Sequence, residues 1–294
     1  MAVLITRRAA LGASLLASAA FASTGLRAAE GADREAAAAL DALERRHGGR
    51  LGTGMLNTAT GRRIEHRANE RFPLCSTFKF LASAFVLARC DAGEERLERR
   101  IVFSQQDLVT YSPVTERHVG GSGMTVAEIC EAAITLSDNT AGNLLLGSFG
   151  GPAGLTAYAR SLGDRTTRLD RIETELNEAR PGDPRDTTTP AAMIETMRTL
   201  LVGEALSPSS REQLTAWLLA SKTGDKRLRA GVPDRWRVGD KTGTGGNGAA
   251  NDIGIAWPPG RAPILVAAYY AESEASDAER NAVLAEVGRI ISAP

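Results

Sequence analysis

Cysteine, histidine and net charge are all scarce in this chain. Of its 294 residues only three are cysteine and three histidine, and 35 basic side chains face 35 acidic ones. Cys75, Cys90 and Cys130 are odd in number and show no metal-ligand spacing, so at most one disulfide can form and one thiol is left over. A buried cysteine is an ordinary small apolar residue, and that reading covers all three. His47, His66 and His118 form no H-x-x-H or H-E-x-x-H pair, which leaves a zinc site without support. Zero net charge excludes a nucleic-acid-binding surface spanning the molecule, because neutralising phosphates takes a clustered surplus of lysine and arginine. No stretch reads as a permanent membrane span, and there is no internal repeat, heptad pattern or inter-domain linker. What remains is 43% hydrophobic and 24% charged, the composition of a folded globular protein with enough chain for a substantial core, and without heptads or long apolar patches a monomer is expected.

The chain opens on an address. Arg7 and Arg8 precede an uncharged stretch from Ala9 to Leu26 made mostly of Ala, Leu, Ser and Gly. Positive, then apolar, then small is the order of an export signal. The paired arginines fit a twin-arginine signal, which carries folded cargo, or the charged start of an ordinary secretory one. Cleavage is expected between Ala22 and Glu30, so residues 1–29 are set apart from the fold. The destination is the bacterial periplasm, or the medium where there is no outer membrane, with no stable membrane association.

Beyond the signal, residues 32–47 are rich in Ala, Leu, Glu and Arg, read as an amphipathic helix, and stop at Gly48-Gly49. Strand-like segments 51–56 and 63–66 follow, joined by a turn at 57–61. From Ser76 to about Ser221 the pattern is helical, over 78–88, 126–134, 141–149, 153–162, 191–201 and 210–219. Residues 166–189 form a long polar stretch with Pro181, Gly182 and Pro184, and loops of that length in a compact domain usually have a function. Strands return at 236–241, 252–257 and 264–270, and 276–291 closes the chain as a helix. The expected class is α+β with two lobes. Residues 30–75 and 220–294 share an antiparallel sheet flanked by helices, and residues 76–219 form an all-helical lobe. The cleft between the lobes is the natural place for a site.

Four motifs occur in order: Ser76-Thr77-Phe78-Lys79, Ser137-Asp138-Asn139, Glu173-Thr174-Glu175-Leu176-Asn177 and Lys241-Thr242-Gly243. Ser76 and Lys79, three apart, share one face of a helix, so their side chains can meet. Pro73 suggests that this helix begins at the serine, where exposed N–H groups favour developing negative charge. A serine hydroxyl is a weak nucleophile until its proton is taken and the oxyanion stabilised. Any one of these triplets is weak evidence, but all of them in this order resemble a class A serine β-lactamase across essentially the whole mature chain.

That resemblance implies a serine β-lactamase/DD-peptidase-like fold, no cofactor or metal, and β-lactam substrates and inhibitors as partners. Ser76 would attack the β-lactam carbonyl, with the N–H groups of Ser76 and Thr244 as oxyanion hole, each donor worth ~3 kcal/mol. Ser137 would bridge Lys79 and Lys241 and pass a proton to the leaving nitrogen. Asp138 would be structural, tying its loop to neighbouring amides, and Asn139 would meet the substrate's amide side chain. Glu173 would activate the water that frees the acyl-enzyme, with Asn177 as that water's second partner. Both sit on an Ω-shaped loop, 168–186, closed by an ion pair between Arg171 and Asp186. Lys241 and Thr242 would bind the substrate's carboxylate, completed by Arg227, while Gly243 lets backbone approach the ligand. Tyr111 would pack on the bound ring system at the cleft mouth. Whether Lys79 or Glu173 is the acylation base stays open.

Several residues depart from the family pattern. Thr174 stands where a cis proline is usual, and the sequence leaves its peptide geometry open. Cys75 matches a subset that hydrolyses carbapenems through a disulfide beyond the K-T-G motif, but the partner position here is Gly245. Ser83 stands where the usual partner of Cys130 would be. No disulfide shaping the site is expected, and carbapenem turnover should be weak. Thr244 adds a hydroxyl that often accompanies good cephalosporin hydrolysis in the family. Two competitors share the pocket: a penicillin-binding DD-peptidase, which has no equivalent of Glu173, and a non-catalytic β-lactam sensor.

Overall fold

The computed structural model describes residues 31–293; the expected export signal lies outside them. Helix α1 spans 31–47, and β1 (Arg50–Asn57) and β2 (Arg63–His66) follow. Then come β3 (Phe72–Pro73), α2 (Phe78–Asp91), β4 (Arg100–Ile101), β5 (Met124–Thr125), α3 (Val126–Thr135), α4 (Asn139–Ser148) and α5 (Gly151–Ser161). The chain continues through β6 (Thr187–Thr188), α6 (Pro190–Leu201), α7 (Pro208–Leu219), α8 (Leu228–Gly231), β7 (Arg237–Thr244), β8 (Ala250–Trp257), β9 (Ile264–Ala271) and α9 (Asp277–Ser292). This is an α+β fold, with one antiparallel sheet in the order β2-β1-β9-β8-β7.

The sheet is buried on both faces, which is why β9 reads as the unbroken apolar run Ile264 to Ala271. Its residues alternate between two cores. Leu265, Ala267 and Tyr269 join the core shared with the helices of the middle segment. Val266, Ala268 and Tyr270 join the second, built with Leu40 and Leu43 of α1 and Val283, Leu284 and Val287 of α9. Glycines in β1 mark close approaches across the first face. A methyl at Gly52 would lie 2.2 Å from the Phe72 ring, and one at Gly54 would lie 3.1 Å from Ile194 of α6.

Capping sets the helix starts. Thr125 and Glu128 form a capping box on α3, Asp138 caps α4 by accepting from the Ala141 N–H, and Ser276 with Glu279 does the same for α9 as Thr125 does for α3. Two ribbons of two-residue strands, β3–β6 and β4–β5, lie in or against the stretch expected to be wholly helical. Strands that short leave no alternation to read. Among the described residues, no helix is long and apolar enough to cross a membrane.

Candidate active site

Ser76 sits on a 3-10 turn, Cys75–Thr77, that feeds directly into α2. The sequence suggests a helix beginning at the serine; the regular α-helix begins two residues later. Cys75 just before it has φ +43°, and Tyr111 and Ser137, also at the cleft, have φ +66° and +58°. Left-handed backbone at non-glycine residues is costly and clusters at working sites. Lys79 lies one turn along, with its Nζ 3.0 Å from Ser76 Oγ. Its tip fits because α4 crosses there at Gly142, where a methyl would come within 2.8 Å of Lys79 Cε.

Lys79 is fully buried, and burial pushes its ammonium below the ordinary lysine range, against the pull of Glu173. Nζ also donates to the Ser137 carbonyl at 2.8 Å and to Asn139 Oδ1 at 2.6 Å, and lies 2.9 Å from Glu173 Oε1. A buried ion pair is poor evidence of stabilisation, because desolvation costs on the order of several kcal/mol per ion. Its place between a hydroxyl and the cleft points to chemistry instead. Glu173 Oε1 in turn accepts from Ser76 Oγ at 3.2 Å, so the carboxylate reaches the hydroxyl directly.

Glu173 is held from three sides. Asn177 Nδ2 donates to its Oε2. Asn143 clasps its backbone, accepting from the Glu173 N–H at 2.8 Å and donating to its carbonyl at 2.9 Å. The Glu173–Thr174 peptide is cis. Below, Arg171 Nε pairs with Asp186 Oδ2 at 2.6 Å, and Asp186 Oδ1 accepts from the Asp170 and Arg171 N–H groups. Arg171 also pairs with Glu178 at 2.6 Å, and Arg168 pairs with Asp170. Leu176, fully buried, plugs the loop into the core.

Lys241 approaches from the other wall, on β7 at the sheet edge. It too is fully buried, and burial together with the nearby Lys79 charge pushes its ammonium well below the ordinary range. Its Nζ donates to Ser137 Oγ at 2.9 Å and to the Thr242 carbonyl at 2.6 Å. Ser137 was expected to bridge both lysines through its hydroxyl. Instead its left-handed backbone gives the carbonyl to Lys79 and the hydroxyl to Lys241. Asp138 is wholly buried and accepts from the Val114, Thr115 and Ala141 N–H groups. Asn139 is tied on both sides, its Nδ2 donating to the Thr110 carbonyl at 2.9 Å.

These groups border a cleft of about 370 Å³ lined by Ser76, Tyr111, Ser137, Asn139, Asn177, Thr223, Arg227, Thr242, Gly243 and Thr244. Tyr111 is 57% exposed at its mouth. Arg227 is no surface arginine, being 9% exposed. It donates to the Gly243 and Asn251 carbonyls, Thr244 Oγ1 and Asn281 Oδ1, each within 2.8 Å. Of a guanidinium's five N–H groups, that leaves one without a partner among the described residues. Thr223, which the sequence reading missed, bonds the Thr242 hydroxyl at 2.6 Å.

The three cysteines are free. Burial pushes the Cys75 thiol up to about 12, so it is an inert neighbour of the serine. A methyl at Gly245 would lie 2.7 Å from its sulfur, and Cys130 lies beside Ser83. Among the described residues no cluster of His, Cys, Asp or Glu could hold a metal ion.

A buried serine, lysine and glutamate converging on a two-walled cleft define a hydrolase that works through an acylated serine. Residues 35–293 match the model of the β-lactamase enzyme family. β-Lactamase AST-1 of Nocardia asteroides is 53% identical over 249 residues, covering 85% of this chain and 80% of that one. β-Lactamase Toho-1 of Escherichia coli is 47% identical over 253 residues, covering 86% and 87%. The solved structure of an ancestral (GNCA) class A β-lactamase superposes with a TM-score of 0.86 at 68% identity, covering 87% of this chain and 98% of that one. The chain belongs to the β-lactamase enzyme family and is a class A enzyme that hydrolyses β-lactams.

Proposed function

We propose that this enzyme hydrolyses penicillins and cephalosporins through an acyl-enzyme on Ser76, and so confers resistance to them. The observation that carries the reading is the buried Glu173 carboxylate, 3.2 Å from Ser76 Oγ and 2.9 Å from Lys79 Nζ. In acylation, Ser76 Oγ attacks the β-lactam carbonyl as its proton passes to the Lys79–Glu173 pair. The ring C–N bond then breaks as Ser137, oriented by Lys241, protonates the leaving nitrogen and takes back from the Lys79–Glu173 pair the proton that Ser76 gave up. In deacylation, Glu173 takes a proton from water, the hydroxide attacks the ester carbonyl, and that proton passes to Ser76 Oγ as its bond to the acyl carbon breaks. Asn177 Oδ1, buried without a partner among the described residues, is available to accept that water's second hydrogen.

Substrate binding follows the charge. Lys241, Thr242, Thr244 and the spare Arg227 N–H form a site for the carboxylate on the β-lactam nucleus. The backbone of Gly243 approaches the ligand, Asn139 offers its remaining amide N–H to the substrate's amide side chain, and Tyr111 covers the ring system. β-Lactamase inhibitors with the same nucleus enter the same cleft. Asp138, Arg171 and Asp186 hold the frame. The mature enzyme is taken as an exported monomer, divided into the lobes drawn above and working without cofactor.

Mixing the purified protein with a chromogenic cephalosporin tests the reading. Many turnovers per enzyme are expected; a single burst would mean a DD-peptidase, and no colour a non-catalytic sensor. Arg227→Ala should raise KM for carboxylate-bearing substrates about tenfold with kcat nearly unchanged, since a uniform binding contact is lost. Steady-state kinetics checks it, and an unchanged KM would remove Arg227 from the carboxylate site.

A further inference from the structure

β7 and β8 carry two aspartates that this chemistry leaves idle. Asp240 precedes Lys241, and Asp252 stands opposite Thr242 in the ladder. Alternation puts Asp240 and Thr242 on one face, so Asp240 and Asp252 are diagonal neighbours across the two strands. The residue directly opposite Asp240 is Gly254, which places no side chain between them. Both carboxyls are completely buried.

Their hydrogen bonds are few. Asp240 Oδ1 accepts from Arg229 Nη2 at 3.2 Å, and Asp252 Oδ2 accepts from the Leu228 N–H at 3.1 Å. Among the described residues, Asp240 Oδ2 and Asp252 Oδ1 have no hydrogen-bond partner. Two buried carboxylates with idle oxygens, side by side, would each suffer desolvation and mutual repulsion. One proton removes both problems, because a protonated carboxyl donates to the carboxylate beside it. The surrounding groups agree. Burial raises both carboxyls, and Asp240 pushes Asp252 further up, while Arg229, Arg227 and Lys241 pull downward and Asp225 upward. The Ser221 hydroxyl, which lies against Asp240, also favours its charged form, and burial still outweighs it.

The segment covering this pair is the one that carries Arg227. A methyl at Gly224 would lie 1.7 Å from Asp240 Oδ2, Leu228 donates to Asp252, and Arg229 donates to Asp240. We propose that Asp240 and Asp252 are positioning residues that hold one proton between them, and that this acid pair clamps the 224–229 segment, with Arg227, onto the K-T-G strand. The kinetic consequence rests on Arg227 meeting the substrate carboxylate; the shared proton does not.

The proton is tested on the intact enzyme by carboxyl ¹³C NMR of aspartate-labelled protein from about pH 5 to about pH 8, where solvated aspartates are ionised. Asp240→Asn and Asp252→Asn supply the assignment. One proton retained on the pair throughout is expected; both carboxyls ionised at the lower end would overturn the proposal. The clamp is tested by kinetics. Asp252→Asn, whose amide donates to Asp240, should keep kcat/KM within about threefold, whereas Asp252→Ala should raise KM about tenfold with kcat nearly unchanged. Equal losses in both variants, or a loss confined to kcat, would overturn it, as would a KM unmoved by Asp252→Ala. If Asp252→Ala fails to fold, the wild-type spectrum and Asp252→Asn decide. An Arg227→Ala variant with unchanged KM would fault the carboxylate reading instead, and the spectrum would still judge the proton.

Discussion

Lys79→Met is expected to slow acylation about 10³-fold. Lys79 Nζ touches Ser76 Oγ, Glu173 and Asn139 at 3.0 Å or less, so its loss leaves the nucleophile without the group that receives or relays its proton. Methionine fills the buried volume without charge but strands the buried Glu173 carboxylate that the ammonium pairs with, so a stability loss of about 3–5 kcal/mol accompanies the kinetic one. The pH dependence has a definite sign. Burial lowers the Lys79 ammonium, so the amine is free to accept a proton further below the usual lysine range. As pH falls through that lowered value the amine protonates and kcat/KM of the wild type should fall; Lys79→Met should lose this limb. Stopped-flow acylation against pH checks both. A loss under tenfold would mean that Glu173, 3.2 Å from Ser76 Oγ, suffices as the base.

Glu173→Gln separates the two halves of the reaction. The amide keeps a hydrogen-bonding group beside Asn177 but cannot take a proton from water, so kcat should fall about 10³-fold, with one rapid equivalent of product released before the slow phase. That burst marks acylation without deacylation. A steady state with no burst and equally slow acylation would place Glu173 in the first step instead, and full turnover would remove it from both.

Much of this site was legible in the sequence, for reasons that differ from residue to residue. Ser76, Lys79, Ser137, Glu173 and Lys241 lie in short motifs whose order survives the fold, and the structure brings all five to one cleft. Lysine usage carries a further signal. The chain has only four lysines among 35 basic residues, and two of them, Lys79 and Lys241, are fully buried there. Asn143 was also within reach, standing four residues after Asn139 on the same face of α4. Thr223 beside Thr242 depends on how a separate loop closes on the edge strand, while the acidic partners Asp170 and Glu178, two and seven residues from Arg168 and Arg171, lie within the one loop in no regular pattern that announces them. The same holds for β3 and β6, which pair across more than a hundred residues with two residues each. By contrast β9 was plain, because burial on both faces makes its whole length apolar.

Mass spectrometry of Glu173→Gln, quenched in acid seconds after mixing with a cephalosporin and then digested, interrogates the covalent step itself. The result expected is a near-stoichiometric adduct on the peptide containing Ser76, persisting long after the wild-type adduct has gone. Slow turnover with no adduct, or an adduct on another residue, would contradict it.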